Sequence, residues 1–304
     1  MRILLRSSGK TVTFLTLAGR DIAAPLIVLV VIPAPIRALY RSGRTLLLIV
    51  VFLLSMEPLA ADPVQVHKTQ GTFRGFLVLK TTEGKTLAGG DLIQVAHGDR
   101  VRARLTFHFR DGSLDDEVAI YSQNNVFRLM SDHHIQRGPS FPKPLDMFID
   151  AVSGQITFRD KDQKTTQSHL DLDSDICNGI LLPLLLNLDQ AAIPARLSMV
   201  APTSKPRLVH LVIAEEGEDR VSIAGRGHKA TNYRIKIELG GLAGLVGPMI
   251  GKQPADVHFW ILEGDAPAFL REEGQFYEGG PIWRVDLVSP LLSTHNSGKE
   301  SRGR

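Results

Sequence analysis

Residues 101–110, VRARLTFHFR, alternate between apolar and polar side chains over the full ten positions, and the turn pair Asp111-Gly112 follows at once. Successive side chains on a strand point to opposite faces, so Val101, Ala103, Leu105, Phe107 and Phe109 share one face and Arg102, Arg104, Thr106, His108 and Arg110 the other. This is the pattern of a β-strand with one buried side. The same grammar recurs. Residues 72–81 run to a Glu83-Gly84 turn, 118–122 and 126–135 are separated by Gln123-Asn124-Asn125, and 146–152 meets 155–159 across Ser153-Gly154. Beyond Pro202, residues 207–214, 220–224, 230–238, 257–262 and 283–288 read as strands, with breaks at Glu216-Gly217, Glu263-Gly264 and Gly279-Gly280. Short strands at this spacing predict an antiparallel meander. About ten strands in one chain must curl, close or stack to hide their edges. The expected fold is mainly β: a large barrel, closed or open, with one or two short apolar helices or lid segments.

Two stretches interrupt the alternation. In residues 171–188, DLDSDICNGILLPLLLNL, Ser174 or Asp175 is placed to cap a helix whose positive end suits the preceding carboxylates. Ile176, Ile180, Leu181, Leu182, Leu184, Leu185, Leu186 and Leu188 surround the axis, so such a helix is buried on nearly all sides. Pro183 keeps it short or kinked. Its natural place is across the mouth of a barrel or inside it. The second stretch, residues 240–251, GGLAGLVGPMIG, is too rich in glycine for a stable helix and reads as a packed loop, an apolar lid or a plug at one end of the sheet.

The chain divides into residues 1–40, an N-terminal extension; 41–61, a signal peptide or N-terminal anchor; 62–290, a β-rich extracytoplasmic domain; and 291–304, a polar tail. Arg41 and Arg44 precede an uncharged run over 45–56, and Pro58-Leu59-Ala60-Ala61 closes it with small residues. That is the layout of a secretory signal, and it is short for a membrane span. The extension is either a start site placed too far upstream or half of an uncleaved membrane hairpin, with Arg37, Arg41 and Arg44 on the cytoplasmic side. Asp62 stands where a lipoprotein signal needs cysteine, so lipid attachment is not expected. Residues 1–61 hold seven basic and two acidic side chains, and without them the balance moves from 35 against 32 to 28 against 30. No dense basic face for nucleic acid remains. Cys177 is the one cysteine, so no internal disulfide forms, and it reads as a buried inert thiol.

The chemical motifs fail on inspection. Asp171, Asp173 and Asp175 begin like a calcium loop, but Ile176 and Leu182 occupy the positions of its glycine and glutamate. His133 and His134 fall on opposite faces of a strand and read as exposed rather than as joint metal ligands. Gly225-Arg226-Gly227-His228-Lys229-Ala230 matches a dinucleotide fingerprint, yet a strand follows where a helix is required. Gly251-Lys252 lacks the rest of a phosphate-binding loop, and no nucleophile elbow occurs. Asp115, Asp116 and Glu117, and likewise Glu272 with Glu273, read as solvated carboxylates beside turns. No cofactor, metal or catalytic residue is assigned, and a hydrolase would need polar groups converging from distant positions.

Residues 257–269, VHFWILEGDAPAF, with Glu273-Gly274 and residues 283–287, WRVDL, resemble the closing strands of uncharacterised envelope β-rich proteins of Gram-negative bacteria. The section from Phe148-Ile149-Asp150 to Asn178-Gly179 is similar to theirs as well. That group looks related in architecture to the lipoprotein-localisation carriers, whose unclosed barrel with a helical lid holds acyl chains. The resemblance implies a ligand-holding fold outside the cytoplasm and carries over no catalytic residue. The expectation is thus a secreted or periplasmic barrel that binds an apolar small molecule such as a lipid. Leu105, Phe107, Phe109, Ile180, Leu184, Leu245 and Trp260 are its candidate lining residues, unless they simply fill the core. The alternative is an envelope scaffold or assembly protein with a protein partner and no small ligand. Membrane association would run through residues 22–61, and an uncleaved N-terminus would anchor the protein in the inner membrane.

Overall fold

The structure, a computed structural model, describes residues 63–223, 226–239, 254–264 and 266–288. The signal and its extension, the 240–251 stretch with Leu245, and the 291–304 tail lie outside the described residues. The chain forms eight strands, β1 (Phe73–Thr81), β2 (Thr86–His97), β3 (Arg100–Phe109), β4 (Leu114–Asn124), β5 (Val126–Arg137), β6 (Leu145–Asp150), β7 (Gln155–Arg159) and β8 (Thr165–His169). Among the described residues one α-helix, α1 (Leu181–Leu185), and a 3-10 turn (Gln190–Ala192) precede six more strands, β9 (Ala195–Val200), β10 (Leu208–Ile223), β11 (Arg226–Glu238), β12 (Val257–Leu262), β13 (Ala268–Gln275) and β14 (Ile282–Val288).

All of them belong to one antiparallel sheet in the order β8-β7-β6-β5-β4-β3-β2-β1-β14-β13-β12-β11-β10-β9. Each strand therefore pairs with its neighbour in sequence except at two places. The first and last strands zip together in the middle of the sheet, Leu77 opposite Leu287 and Leu79 opposite Val285. Strands β8 and β9 end the sheet on either side and do not pair with each other, so the barrel-like sheet stays open along a seam.

The segment between those two edges covers the seam. Residues 175–177 run parallel to β9: Ser198 N–H donates to Asp175 O, and Cys177 N–H to Ser198 O. The Asn178 side chain continues the ladder, accepting from Val200 N–H at 2.8 Å and donating to Val200 O at 3.0 Å. Four apolar residues of this plug, Ile176, Ile180, Leu184 and Leu185, then enter the main core beside Val101, Tyr121, Phe127, Ile213 and Ile235. Asn187 ties the plug to the chain before β1, its Oδ1 accepting from the backbone N–H groups of His67 and Lys68. A second core, with Phe107, Phe109, Phe141 and Trp283, fills another part of the interior.

The meander, the turns at Gly84 and Gly112, and the buried position of the plug agree with the reading from sequence. Several details differ. The helix is confined to Leu181–Leu185 with Ile180 at its N-cap, so neither Ser174 nor Asp175 caps it. Backbone pairing with β9 uses the residues that would otherwise have formed the first turn. Residues 208–223 form one strand, because a bulge between Glu215 and Gly217 bends the ladder without ending it. Strands β2, β8, β9 and β13 escape the alternation rule; β2 runs through Gly89-Gly90 and β8 is almost wholly polar.

Leu184 is 3% exposed in the main core. Leu184→Ala is expected to lower stability by about 2–5 kcal/mol, measured by urea unfolding; a loss below about 1 kcal/mol would mean the plug is not packed as described.

Candidate functional site

Cross-strand partners in an antiparallel ladder lie on the same face, which lets the interior be read strand by strand. On β3, Phe107 and Leu105 face inward, opposite Asp115 and Glu117 of β4. Those carboxylates in turn lie opposite Gln136 and His134 of β5, while Ala119 lies opposite Asp132. From the other side of the interior, Glu272 of β13 stands between Phe259 and Val285, both buried. Gln136 spans the space, its Nε2 donating to Phe276 O at 2.8 Å and to Asp115 Oδ2 at 3.3 Å.

Three carboxylates, Asp115, Glu117 and Asp132, thus bear on one imidazole, and Glu272 lies near the first two. His134 Nε2 meets Asp115 Oδ1 at 2.7 Å, and its Nδ1 lies 3.9 Å from Glu117 Oε1. Burial works against a charged ring, but Asp115 and Glu117 outweigh it and push His134 up to about 10, so it is an imidazolium at neutral pH. Burial, reinforced by Glu117 and Asp115, lifts Glu272 to about 8. Burial also raises Glu117, against the pull of His134. Asp132 is raised furthest above its ordinary value, by burial and then by Glu117. It is 1% exposed and neither of its oxygens has a hydrogen-bond partner.

The plug rests on this cluster. Gly179 adopts φ +64, and a methyl group there would lie 2.7 Å from both Asp132 Oδ1 and the Ala119 side chain. Only glycine meets both demands. The Cys177 thiol is raised by burial and then by Asp175 and Glu117, which makes it an inert buried thiol. Beside the plug the interior is not sealed: 24% of the Glu117 side chain and 19% of His134 remain accessible, and Leu92, Leu105 and Glu272 are half-buried. A separate hollow of about 420 Å³, lined by Ser153, Gln155, Gln167, Ser168 and His169, sits at the β7–β8 edge.

The residues singled out from sequence fall in several places. Leu105 faces inward beside Glu117, whereas Phe107 and Phe109 pack into the aromatic core with Phe276 and Trp283. Ile180 and Leu184 belong to the plug. Leu245 lies outside the described residues. Trp260 departs from expectation: the β12 phase that turns Phe259 and Ile261 inward turns it outward, where its Nε1 donates to Asp219 and Arg271 stacks on its ring. His133 and His134 do lie on opposite faces, but only His133 is on the outer one, paired with Asp146. Asp115, Glu117 and Glu272 are interior groups rather than solvated ones, since β4 begins at Leu114 and carries the first two in phase with Ala119 and Tyr121.

No family model matches the chain, and no curated protein matches it. Among solved structures it is similar to the crystal structure of a β-barrel-like protein of domain of unknown function DUF1849 from Brucella abortus. The similarity has 9% identity and a TM-score of 0.44, over 72% of this chain and 96% of that one.

The cluster fixes the sign of a pH dependence. Glu272 ionises near 4.5 in an unfolded chain and about 8 when folded, so in that window the folded protein holds a proton the unfolded chain has lost. His134, moved from 6.5 to about 10, acts the same way at higher pH. Stability then falls as pH rises. Melting is expected at a higher temperature near about pH 5 than near about pH 8, and Glu272→Gln should flatten that slope; a melting temperature that climbs over the same range would contradict the assignment.

Proposed function

We propose that the protein is a secreted or periplasmic carrier that holds an apolar molecule, such as a lipid, inside its open barrel. The observation that carries this reading is the seam. Strands β8 and β9 leave the sheet unclosed, and an apolar plug covers the gap through a short parallel bridge at Ile176 and Ser198 and through side-chain packing. Displacing the plug exposes apolar surface without opening any β-ladder between long strands. Next to it, the inward row of Gly75, Leu92, Leu105 and Glu117 is only half-buried, and Leu287, on the inward face opposite Leu77, is 42% exposed. The leader pattern over 41–61 supports a location outside the cytoplasm.

A scaffold without a small ligand is the second reading, and the outer face gives it some substance. Phe76 pairs with Val288 on the exposed side of the β1–β14 junction, and Ile93 lies nearby opposite Arg74. Exposed apolar neighbours of this kind are what a protein partner would cover.

The two separate in one experiment. Native mass spectrometry of the protein purified gently from the envelope of its own host should show a stoichiometric apolar adduct that disappears on denaturation. Protein that is empty, and stays empty after incubation with envelope lipids, would sink the carrier and leave the scaffold.

A further inference from the structure

The interior carries far more negative than positive capacity. Glu117 feels His134 and Asp115, Asp132 feels Glu117 and His134, and Glu272 feels Glu117 and Asp115. His134 is committed to Asp115 at 2.7 Å and lies 3.9 Å from Glu117, so one imidazolium is shared among the carboxyl groups on β4 and β5 and none is set against Glu272 on β13. A buried carboxylate that lacks both charge partner and donors is strongly disfavoured. Asp132 comes near that limit: at 1% exposure neither oxygen makes a hydrogen bond of ordinary geometry, and the cation beside it, His134, is already held by Asp115. Glu117 offers the accessible approach to it, from the side where Leu92, Leu105 and Leu287 present half-open apolar surface.

Resting on the carrier reading, we infer that the cargo is an amphipath with a primary ammonium group, its chain along Leu92, Leu105 and Leu287 and its head between Glu117, Glu272 and Asp132. An ammonium supplies three N–H donors and one positive charge on a compact, freely turning group. It can therefore serve carboxyl groups spread over both sides of the interior. A metal ion needs its ligands drawn to one point, and among the described residues no three His, Cys, Asp or Glu side chains are so disposed. The reach to Asp132 passes Gly179, so full engagement of the head requires the plug to lift from the cluster. Cargo entry and plug movement are then one event.

Binding also has a defined proton balance. An arriving ammonium meets a carboxyl group, Glu272, that holds its proton in the empty protein, and its charge is matched when Glu272 gives up that proton to solvent. No bond to the cargo forms or breaks. Affinity for the amine therefore rises with pH up to about 8, where Glu272 ionises. The ionisable side chains that face the site are those of Asp115, Glu117, Asp132, His134 and Glu272, with Asp175 and Cys177 on the plug.

The test titrates the exported protein with dodecylamine, dodecanol and dodecanoate, three probes of one chain length, read by native mass spectrometry and calorimetry. Dodecylamine is expected to bind at least about tenfold more tightly than dodecanol, and dodecanoate more weakly than either. Glu272→Gln, and Glu117→Gln with it, should erase the preference and leave dodecanol binding in place. Both changes conserve shape, and circular dichroism with dodecanol binding verifies that each variant is folded; should the double variant not fold, Glu272→Gln alone reports. Equal binding of the three probes, or a preference for dodecanoate, overturns the ammonium site and leaves the carrier standing. Failure of all three to bind overturns the carrier and the ammonium site together.

Discussion

An open sheet has two rows of unpaired backbone groups, and everything else in this protein is arranged around where those rows lie. Fourteen antiparallel strands curl far enough to enclose an interior, yet the edges β8 and β9 do not meet. Exposed edges invite pairing with other chains. Here β9 is met by residues 175–177 and by the amide of Asn178, which reproduces a backbone pair with Val200. Strand β8 is short and polar, TTQSH, which makes it a poor template for a foreign strand. The seam is thus handled by a different device on each side.

Closing the seam with side chains brings a helix-forming apolar segment into contact with a polar patch of the wall. Gly179 is the point of contact, lying against Asp132 and Ala119 with a left-handed backbone. The outer wall shows the opposite electrostatics. Asp116 and Asp286 are buried enough for desolvation to oppose their charge, but Arg104 and Thr106 at the first, and Lys80 with Arg271 at the second, hold both carboxyls below their ordinary range. Adjacent residues Asp115 and Asp116 therefore behave as opposites, one inside with an imidazolium and one outside with a guanidinium.

Much of the architecture was legible from periodicity, because a half-buried strand must alternate and residues 101–110 do so without exception. The site was not, and the reasons are local. In β5 the phase set by Phe127 and Leu129 would turn Ser131 and His133 inward; the irregularity facing Ile120 and Tyr121 shifts the register so that Asp132 and His134 take those places. In β13 a second irregularity, opposite Trp260 and Ile261, governs the phase that sends Glu272 inside. Asp115 and Glu117 could have been found by extending the β4 alternation backwards from Tyr121 and Ala119, across a run of acids that composition alone assigns to solvent. Trp260 follows the alternation of β12, which with Phe259 and Ile261 inside puts it on the outer face, where Asp219 satisfies its indole N–H.

The junction of β1 with β14 has a kinetic consequence. The wall at this place is built from the first and last of the described strands, and the Lys80 to Asp286 ion pair at 3.0 Å joins residues 206 apart in sequence. Contacts of that separation form late, because the loop between them must close before they are rewarded. A chain made from its N-terminus presents β1 long before β14 exists. Paired on one side with β2, that strand must keep its other edge open until β14 has been made, which makes the growing chain a natural client for a holding chaperone and makes synthesis, rather than collapse, the clock of its folding.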